Sequence, residues 1–98
     1  MSYSRNPAIY IMTNEPNGIL YTGVTSNLIQ RIYQHKGEHH CGFTRRYRCK
    51  LLVYYEIHDN MENAIGREKQ IKAGSRKKKV ELIVHMNPQW DDLYPTLL

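Results

Sequence analysis

The amino-acid sequence predicts an α+β domain with a three-stranded, mainly antiparallel sheet flanked by helices. Three observations predict this fold class. Two short β-branched and aromatic runs are joined by a Pro/Asn/Gly turn, a third apolar run follows later, and three segments with helix caps lie between and after them. The element order is therefore β-β-α-β-α-α, and runs that are adjacent in sequence pair as a hairpin.

The first two predicted strands are Ala8 to Thr13 and Ile19 to Thr25, separated by the turn sequence Asn-Glu-Pro-Asn-Gly. Leu51 to Ile57 is a continuous apolar and aromatic run, which is typical of a third and more central strand. Gly23 interrupts the second strand, and a glycine there indicates either a bulge or a close approach by another chain's backbone.

Three helices are predicted because each has cap residues before it and a stop signal after it. The expected spans are Leu28 to Lys36, residue 61 to about Ala73, and Arg76 to His85. Residues 38–50 show no period and contain three arginines, so a mobile basic loop is expected. In the tail, Trp90 and Tyr94 are expected to clamp residues 89–98 onto the body.

The length of 98 residues predicts a single domain over 1–98, with a core at about 8–85 and a tail at 86–98. A composition of 41% hydrophobic and 23% charged residues excludes a disordered tail and a membrane protein. Since no leader-like segment is visible, we expect a cytoplasmic protein. The 14 basic residues outnumber the 9 acidic ones, and the net charge of +5 favours a polyanionic partner.

The two cysteines, Cys41 and Cys49, are too few for a disulfide-stapled scaffold, and reduced thiols are expected. Together with His39 and His40 they suggest a zinc site, but the spacing lacks the paired C-x-x-C pattern. A polar loop with a thiol at each end is the favoured interpretation.

Glu68 lies near the middle of the inward arc of the second predicted helix, together with Ala64, Ile65, Ile71 and the stem of Lys72. A carboxylate that faces a sheet is costly unless it is paired or binds a cation. Three alternatives are open: a salt bridge to Arg67, Lys72 or another base, a side chain leaning to solvent, or a metal ligand.

Arg31 and His35 are neighbours on the first helix, four residues apart. Arginine can clamp phosphate oxygens and histidine can carry a proton near neutral pH, although each can also be an ordinary structural residue. If Tyr10 and Tyr21 lie across from each other on paired strands, both phenols point to one face, where they can relay a proton. Tyrosine is also simply a favoured strand residue.

This ordered set of residues resembles the GIY-YIG nuclease family, and in particular its small stand-alone bacterial members. The resemblance rests on 8–10 (Ala-Ile-Tyr), 21–23 (Tyr-Thr-Gly), Arg31, His35 and Glu68, and it extends from about Ala8 to Tyr94. Segments 20–28 and 67–72 look especially similar to that group.

The resemblance implies metal-dependent hydrolysis of nucleic-acid phosphodiester bonds. It would make Glu68 the sole protein ligand of one Mg²⁺ or Mn²⁺ ion and would let Arg31 steady the scissile phosphate. Tyr21 or Tyr10 would activate water while His35 receives or relays a proton, and the pattern leaves open which is the base. Asn87 and Gly23 resemble supporting positions.

Three positions depart from the family pattern: Ala8 replaces a glycine, Thr22 replaces an isoleucine, and Val24 stands where some members have a lysine. The first two changes are not expected to affect the chemistry. The third removes one candidate acid and leaves His35 with more of the proton transfer.

Eleven of the 14 basic residues fall between Arg45 and Lys79. Those expected to contact phosphates are Arg45, Arg46, Arg48, Lys69, Lys72, Arg76, Lys77 and Lys78, although a lysine run can also be a solvated helix face. Phe43 and Tyr47 lie within the first cluster and could stack on an unpaired base. No sequence-reading motif is visible, so structure-selective cleavage is expected, of DNA rather than RNA.

Two other functional interpretations are considered. The same scaffold could be a nucleic-acid-binding module with little activity, or an interaction domain that uses Trp90 and Tyr94 as a dimer patch. Protein partners are not indicated by the sequence.

Overall fold

The computed structural model describes residues 6–37 and 42–98, and it confirms the predicted α+β fold and element order. The strands are β1 (Ala8–Thr13), β2 (Leu20–Thr25) and β3 (Leu51–Ile57), and the helices are α1 (Leu28–Lys36), α2 (Gly42–Tyr47), α3 (Met61–Ala73) and α4 (Arg76–Met86). A 3₁₀ helix at Tyr94–Leu97 lies in the tail. In the described part of the chain no helix is long and apolar enough to cross a bilayer.

The sheet is antiparallel with strand order β2-β1-β3, so β1 is the central strand and all its residues are buried. The expectation that Leu51–Ile57 is the more central strand is therefore wrong. Its apolar character has another cause: its side chains are buried on both faces of the sheet, Val53 and Tyr54 in the α3/α4 layer and Leu52 in the α1 layer. The tail also covers its outer edge. The Leu93 N–H donates to the Leu52 carbonyl at 2.7 Å, and the Asn87 amide donates to the Val53 carbonyl at 3.2 Å. A covered edge cannot pair with another chain.

The sheet separates two apolar layers, because side chains alternate along each strand. One layer joins Ile9 and Ile11 of β1 to α3 and α4 through Ala64, Ile71 and Ile83. The other joins Ala8, Tyr10 and Met12 of β1 to α1 through Leu28 and Ile32. The helices α3 and α4 therefore cover one face and α1 covers the opposite face.

The predicted caps are present: Asn27, Asn60 and Ser75 each accept a hydrogen bond from the backbone N–H three residues later.

The expectation of a mobile loop is wrong for residues 42–47, which form the helix α2. Thr44 is buried there, and its carbonyl accepts the Cys49 N–H at 2.9 Å. The Thr44 hydroxyl also contacts His35 of α1. So short a helix is stabilised by such contacts with other elements, which leave no periodic signal in the sequence. Residues 38–41, with His39, His40 and Cys41 of the zinc alternative, lie outside the described residues.

The inward face of α3 is largely as predicted, since Ala64, Glu68 and Ile71 are buried, but Ile65 is exposed.

The tail packs on the body as expected, with Trp90 in the α3/α4 layer and Tyr94 in the α1 layer. Trp90 is buried, so it does not form a surface patch for dimerisation.

Glu56, near the end of β3, is fixed by Arg67 of α3. The Arg67 Nε donates to Glu56 Oε1 at 2.9 Å, Nη2 donates to Oε2 at 2.9 Å, and the Tyr54 hydroxyl donates to the same carboxylate. Burial alone would raise the pKa of Glu56, but the hydrogen bonds from Arg67 and Tyr54 outweigh it and lower the pKa. Burial, with the nearby Glu56, raises the pKa of Tyr54 to about 12.

We predict that Glu56→Gln weakens the acid sensitivity of folding. A lowered folded-state pKa means that ionised Glu56 stabilises the fold above the ordinary value of 4.5 and loses that contribution as the pH falls through the folded value. The difference in free energy of unfolding between the two proteins should shrink from about pH 7 to about pH 3 in urea titrations. The exposed Glu81→Gln variant, in the middle of α4 and away from a helix N-terminus, is the control, and a constant difference for Glu56→Gln would contradict the linkage.

Candidate active site

Tyr10, His35 and Thr44 form a buried hydrogen-bonded row that joins β1, α1 and α2. The Tyr10 hydroxyl lies 2.8 Å from His35 Nε2, and His35 Nδ1 lies 3.0 Å from the Thr44 hydroxyl. His35 is only 2% exposed, and Tyr10 has no exposed surface. Both ring nitrogens of the histidine are therefore engaged inside the protein, and the phenol is satisfied without water.

Tyr21 lies beside this row on the same face of the sheet. The strand register sets Tyr10 across from Gly23 and Tyr21 across from Met12, so the two tyrosines are diagonal neighbours and not direct partners. Their ring centroids are 6.3 Å apart, and the Tyr21 ring is 5.6 Å from that of His35. Tyr21 is only partly buried, so of the two phenols it is the one that reaches the surface.

Gly23 makes room for the Tyr10 side chain. A Cβ at position 23 would lie 2.5 Å from both Cζ and the hydroxyl oxygen of Tyr10, closer than atoms can approach. The β1–β2 register runs without a shift through this position, so the glycine does not mark a bulge as considered from the sequence. The group that lies close to Gly23 is the ring of Tyr10, and not the backbone of another chain.

Arg31 is attached to the outer edge of β2, where its Nη1 donates to the Val24 carbonyl at 3.3 Å. β2 is an edge strand, so this carbonyl points away from the sheet. A guanidinium has five N–H donors, and this bond uses one of them. The group therefore lies at the strand edge, one helical turn before His35.

Glu68 approaches β2 from the other face of the sheet, because α3 packs on β2 and β1 on the side opposite to α1. The carboxylate is 9% exposed, and its Oε2 lies 2.7 Å from Lys72 Nζ. Of the alternatives open from the sequence, the pairing with Lys72 is the one observed, whereas Arg67 binds Glu56. Helices on either face of an edge strand can reach it, so Glu68 and Tyr21 flank the same strand from two sides.

The donor set at Glu68 is compatible with one hard divalent cation. Among the described residues no group of three or more His, Cys, Asp or Glu side chains is placed to hold a metal. Mg²⁺ keeps several waters and needs only one or two carboxylates in addition to phosphate oxygens. Lys72 is 54% exposed, so its ammonium can move into solvent and release the carboxylate.

Asn87 is held away from these residues. Its amide donates to the carbonyls of Val53 and Asp91, and its carbonyl accepts the Asp91 N–H at 3.1 Å. It therefore fastens the tail to β3, at the sheet edge opposite to β2. The described contacts do not support placing it with the tyrosines.

All the basic residues predicted to bind nucleic acid are exposed: Arg45, Arg46, Arg48, Lys69, Lys72, Arg76, Lys77 and Lys78. Arg76 also has a structural contact, because its Nη2 donates to the carbonyls of Asn17 and Gly18 at 2.9 and 2.7 Å. This bond brings the start of α4 to the hairpin turn just before β2. The two basic clusters therefore reach the same hairpin, one through α4 and the other through α2.

A cleft of about 440 Å³ lies elsewhere, between α3 and α4. It is lined in part by Arg67, Lys78 and Lys79, and it contains none of the residues predicted to be catalytic or metal-binding. We place the candidate site at the β2 edge and not in this cleft, because Tyr21 of β2 packs on the buried Tyr10–His35 pair and Arg31 binds the backbone of the same strand.

Sequence reasoning missed Thr44, the residue that fixes the His35 ring. It lies in a stretch without hydrophobic period, and its role depends on contacts made after folding. A second contact was also missed: the Phe43 ring lies 5.7 Å from that of Tyr21.

The family described as the GIY-YIG catalytic domain matches residues 6–81, which include β1, β2, α1 and α3 and therefore every residue of the candidate site described above. The chain belongs to the GIY-YIG family. This is a nuclease family whose members generally depend on a divalent cation and act on nucleic acid.

Relatives of this GIY-YIG chain are small UPF0213 proteins. One from Staphylococcus saprophyticus is 39% identical over 75 residues, covering 76% of this chain and 90% of the relative. Another, from Syntrophus aciditrophicus, is 38% identical over 71 residues and covers 71% and 80%. The solution NMR structure of the UPF0213 protein BH0048 from Bacillus halodurans superposes with a TM-score of 0.56 at 28% identity, covering 89% of this chain and 92% of that one.

We predict that Gly23→Ala destabilises the fold by about 1–3 kcal/mol, because the added methyl group overlaps the Tyr10 ring, which is fully buried and bonded to His35. Gly66→Ala is the matched control, since a Cβ there meets nothing within 4 Å and alanine favours the α3 helix by about 0.5–1 kcal/mol. Urea unfolding of both variants measures the two effects. Equal stability changes for both glycines would refute the packing argument.

Proposed function

We propose that this chain is a divalent-metal-dependent endonuclease that hydrolyses phosphodiester bonds of DNA and selects structure rather than sequence. One observation carries the proposal. In a chain of the GIY-YIG family, the partly exposed Tyr21 packs on the buried Tyr10–His35 pair at the strand edge that also holds Arg31.

We assign activation of the attacking water to Tyr21, because a group that accepts a proton must be reachable by the water. The Tyr10 hydroxyl is bonded to His35 and has no exposed surface, so Tyr10 acts as a positioning residue. His35 is engaged at both ring nitrogens. It therefore fixes the Tyr10 ring and packs against Tyr21 without meeting the substrate. A phenol can take the proton of the attacking water only as a phenolate, so the assignment of Tyr21 requires its ionised form.

Arg31 is assigned to the scissile phosphate. Its charge is permanent, and the donors that are not bonded to Val24 can hold non-bridging oxygens as negative charge builds up. Glu68 is assigned as the ligand of Mg²⁺ or Mn²⁺. When bound, the cation offsets phosphate charge and makes the attacking water more acidic.

Nucleic acid is the substrate class that the exposed cations favour. Contacts from lysine and arginine to phosphates provide affinity without base readout. Selection by shape follows from these features, and duplex, branched and single-stranded DNA and RNA substrates test it directly.

We predict that Glu68→Gln lowers Mg²⁺-dependent cleavage by about 100-fold or more, because the charge stabilisation by a metal is worth several kcal/mol. Binding to nucleic acid should change little. Gel assays with Mg²⁺, Mn²⁺ or chelator measure cleavage, and fluorescence anisotropy in chelator measures binding.

Glu62→Gln is the matched control, since it is the same change at an exposed position of the same helix. If Glu68 serves only as the ion-pair partner of Lys72, then Glu68→Gln will cut as well as the control. An absence of metal-dependent cutting in the wild-type protein on every substrate would instead favour the binding-module interpretation.

We predict opposite effects of the double variant Lys77→Glu/Lys78→Glu on stability and on binding. The first turn of α4 contains no acidic residue, and cations near a helix N-terminus oppose the helix dipole by about 0.3–1 kcal/mol each. Thermal unfolding should therefore show a higher melting temperature. DNA affinity should fall. The plot of log affinity against log salt concentration should also become less steep, by the amount expected for the loss of about two phosphate contacts. Unchanged affinity would mean that this run is only a solvated helix face.

A further inference from the structure

The helix α2 carries two exposed aromatic rings next to Tyr21. Phe43 and Tyr47 lie one helical turn apart, with ring centroids separated by 4.9 Å, and Phe43 in turn lies 5.7 Å from Tyr21. Phe43 is 42% exposed and Tyr47 is 37% exposed. A row of rings therefore leads from the partly buried Tyr21 to the surface.

We propose that the pair Phe43–Tyr47 binds one unpaired base of a nucleic-acid strand whose backbone passes Tyr21. The inference rests on the proposed function for the identity of the polymer. It goes beyond that function by naming the substrate feature that is recognised: a base without a pairing partner close to the cleaved bond. A fully paired duplex cannot offer such a base unless the base leaves the stack.

The rings are held in place rather than merely exposed. α2 is anchored from below by Thr44, whose hydroxyl bonds His35 and whose carbonyl accepts the Cys49 N–H. Phe43 precedes this anchor and Tyr47 follows it by three positions. Little side-chain freedom is therefore lost when a base stacks on the pair, which favours binding.

The charges around the rings favour a nucleic acid over an apolar peptide. Arg45 and Arg46 lie in the same helix and Arg48 follows it, and all three are exposed. The guanidinium carbon of Arg46 lies 5.4 Å from the Tyr47 ring centroid, a cation–π arrangement. Aromatic faces surrounded by cations are the usual platform for unpaired bases, since the rings stack and the cations hold the backbone.

The spacing sets which base is bound. The ring centroids of Tyr21 and Phe43 are only 5.7 Å apart. A base on Phe43 therefore belongs to a nucleotide close to the phosphate at Tyr21. The site should prefer bulges, flaps and junction edges over continuous duplex.

The test uses the full chain in chelator, so that no cutting is needed. The probes are two DNA hairpins of equal length with one 2-aminopurine, which is either in a single-nucleotide bulge or paired. Wild-type protein should quench the bulged probe and bind it more tightly than the paired probe. Phe43→Leu should lose about 5- to 150-fold affinity for the bulged hairpin, with quenching abolished, while affinity for the paired hairpin stays within about twofold.

Tyr33→Leu, which changes an aromatic residue of α1 that is 66% exposed, is the matched control and should leave both affinities unchanged. Phe43→Tyr, unlike Phe43→Leu, should quench the bulged probe as the wild-type protein does, because tyrosine also stacks on a base. The salt dependence should be the same in all variants, since none removes a charge.

Equal losses on both hairpins, or a wild-type protein that binds the bulge without quenching it, would overturn the inference. If Phe43→Leu does not fold, the wild-type quench and the behaviour of Phe43→Tyr still decide. Quenching without metal-dependent cleavage would support the base site and contradict the nuclease proposal, whereas cleavage without quenching would do the reverse.

Discussion

A phenol buried without water must find a hydrogen-bond partner inside the protein, and Tyr10 finds it in His35 Nε2 at 2.8 Å. This one bond connects the central strand to α1, and the other ring nitrogen of His35 connects α1 to α2 through Thr44. A single polar row therefore connects β1, α1 and α2. Tyr21 packs on His35 of that row, and Phe43 packs in turn on Tyr21.

The two edges of the sheet have different roles. At β3 the tail supplies hydrogen bonds to the outer backbone, and the ion pair between Lys36 and Asp92 holds the tail against α1. At β2 the edge carbonyl of Val24 is bonded to a charged side chain, Arg31. One edge is closed by the tail, and the other carries groups that the proposed chemistry uses. The start of α4 reaches the turn before β2 through Arg76, and α2 reaches Tyr21 of β2 through Phe43.

Local signals were sufficient for the order of the elements and for the helix boundaries, because caps such as Asn60 and stops such as Gly74 act within one turn. They failed where the structure depends on distant contacts. The apolar run of β3 indicated a central strand, although β3 is an edge strand that is buried by helices on both faces and by the tail. Segment 42–47 has no period and yet forms a helix held by Thr44. For the candidate site, the sequence predicted that Tyr10 and Tyr21 share a face, but it did not predict their diagonal register, the approach of Glu68 from the opposite face, or the structural position of Asn87.

The contact between Gly23 and Tyr10 changes how the tripeptide signature of this family is to be interpreted. The glycine is required because a ring occupies the space where its side chain would be, and the ring is required to satisfy His35. Both residues are therefore needed for the packing beneath the candidate site. A related chain that has lost its activity would still need both residues to fold. The tripeptide signature therefore indicates the fold of a chain and not its activity. In the proposed mechanism, evidence for turnover in any such chain should be sought at Arg31, Tyr21 and Glu68.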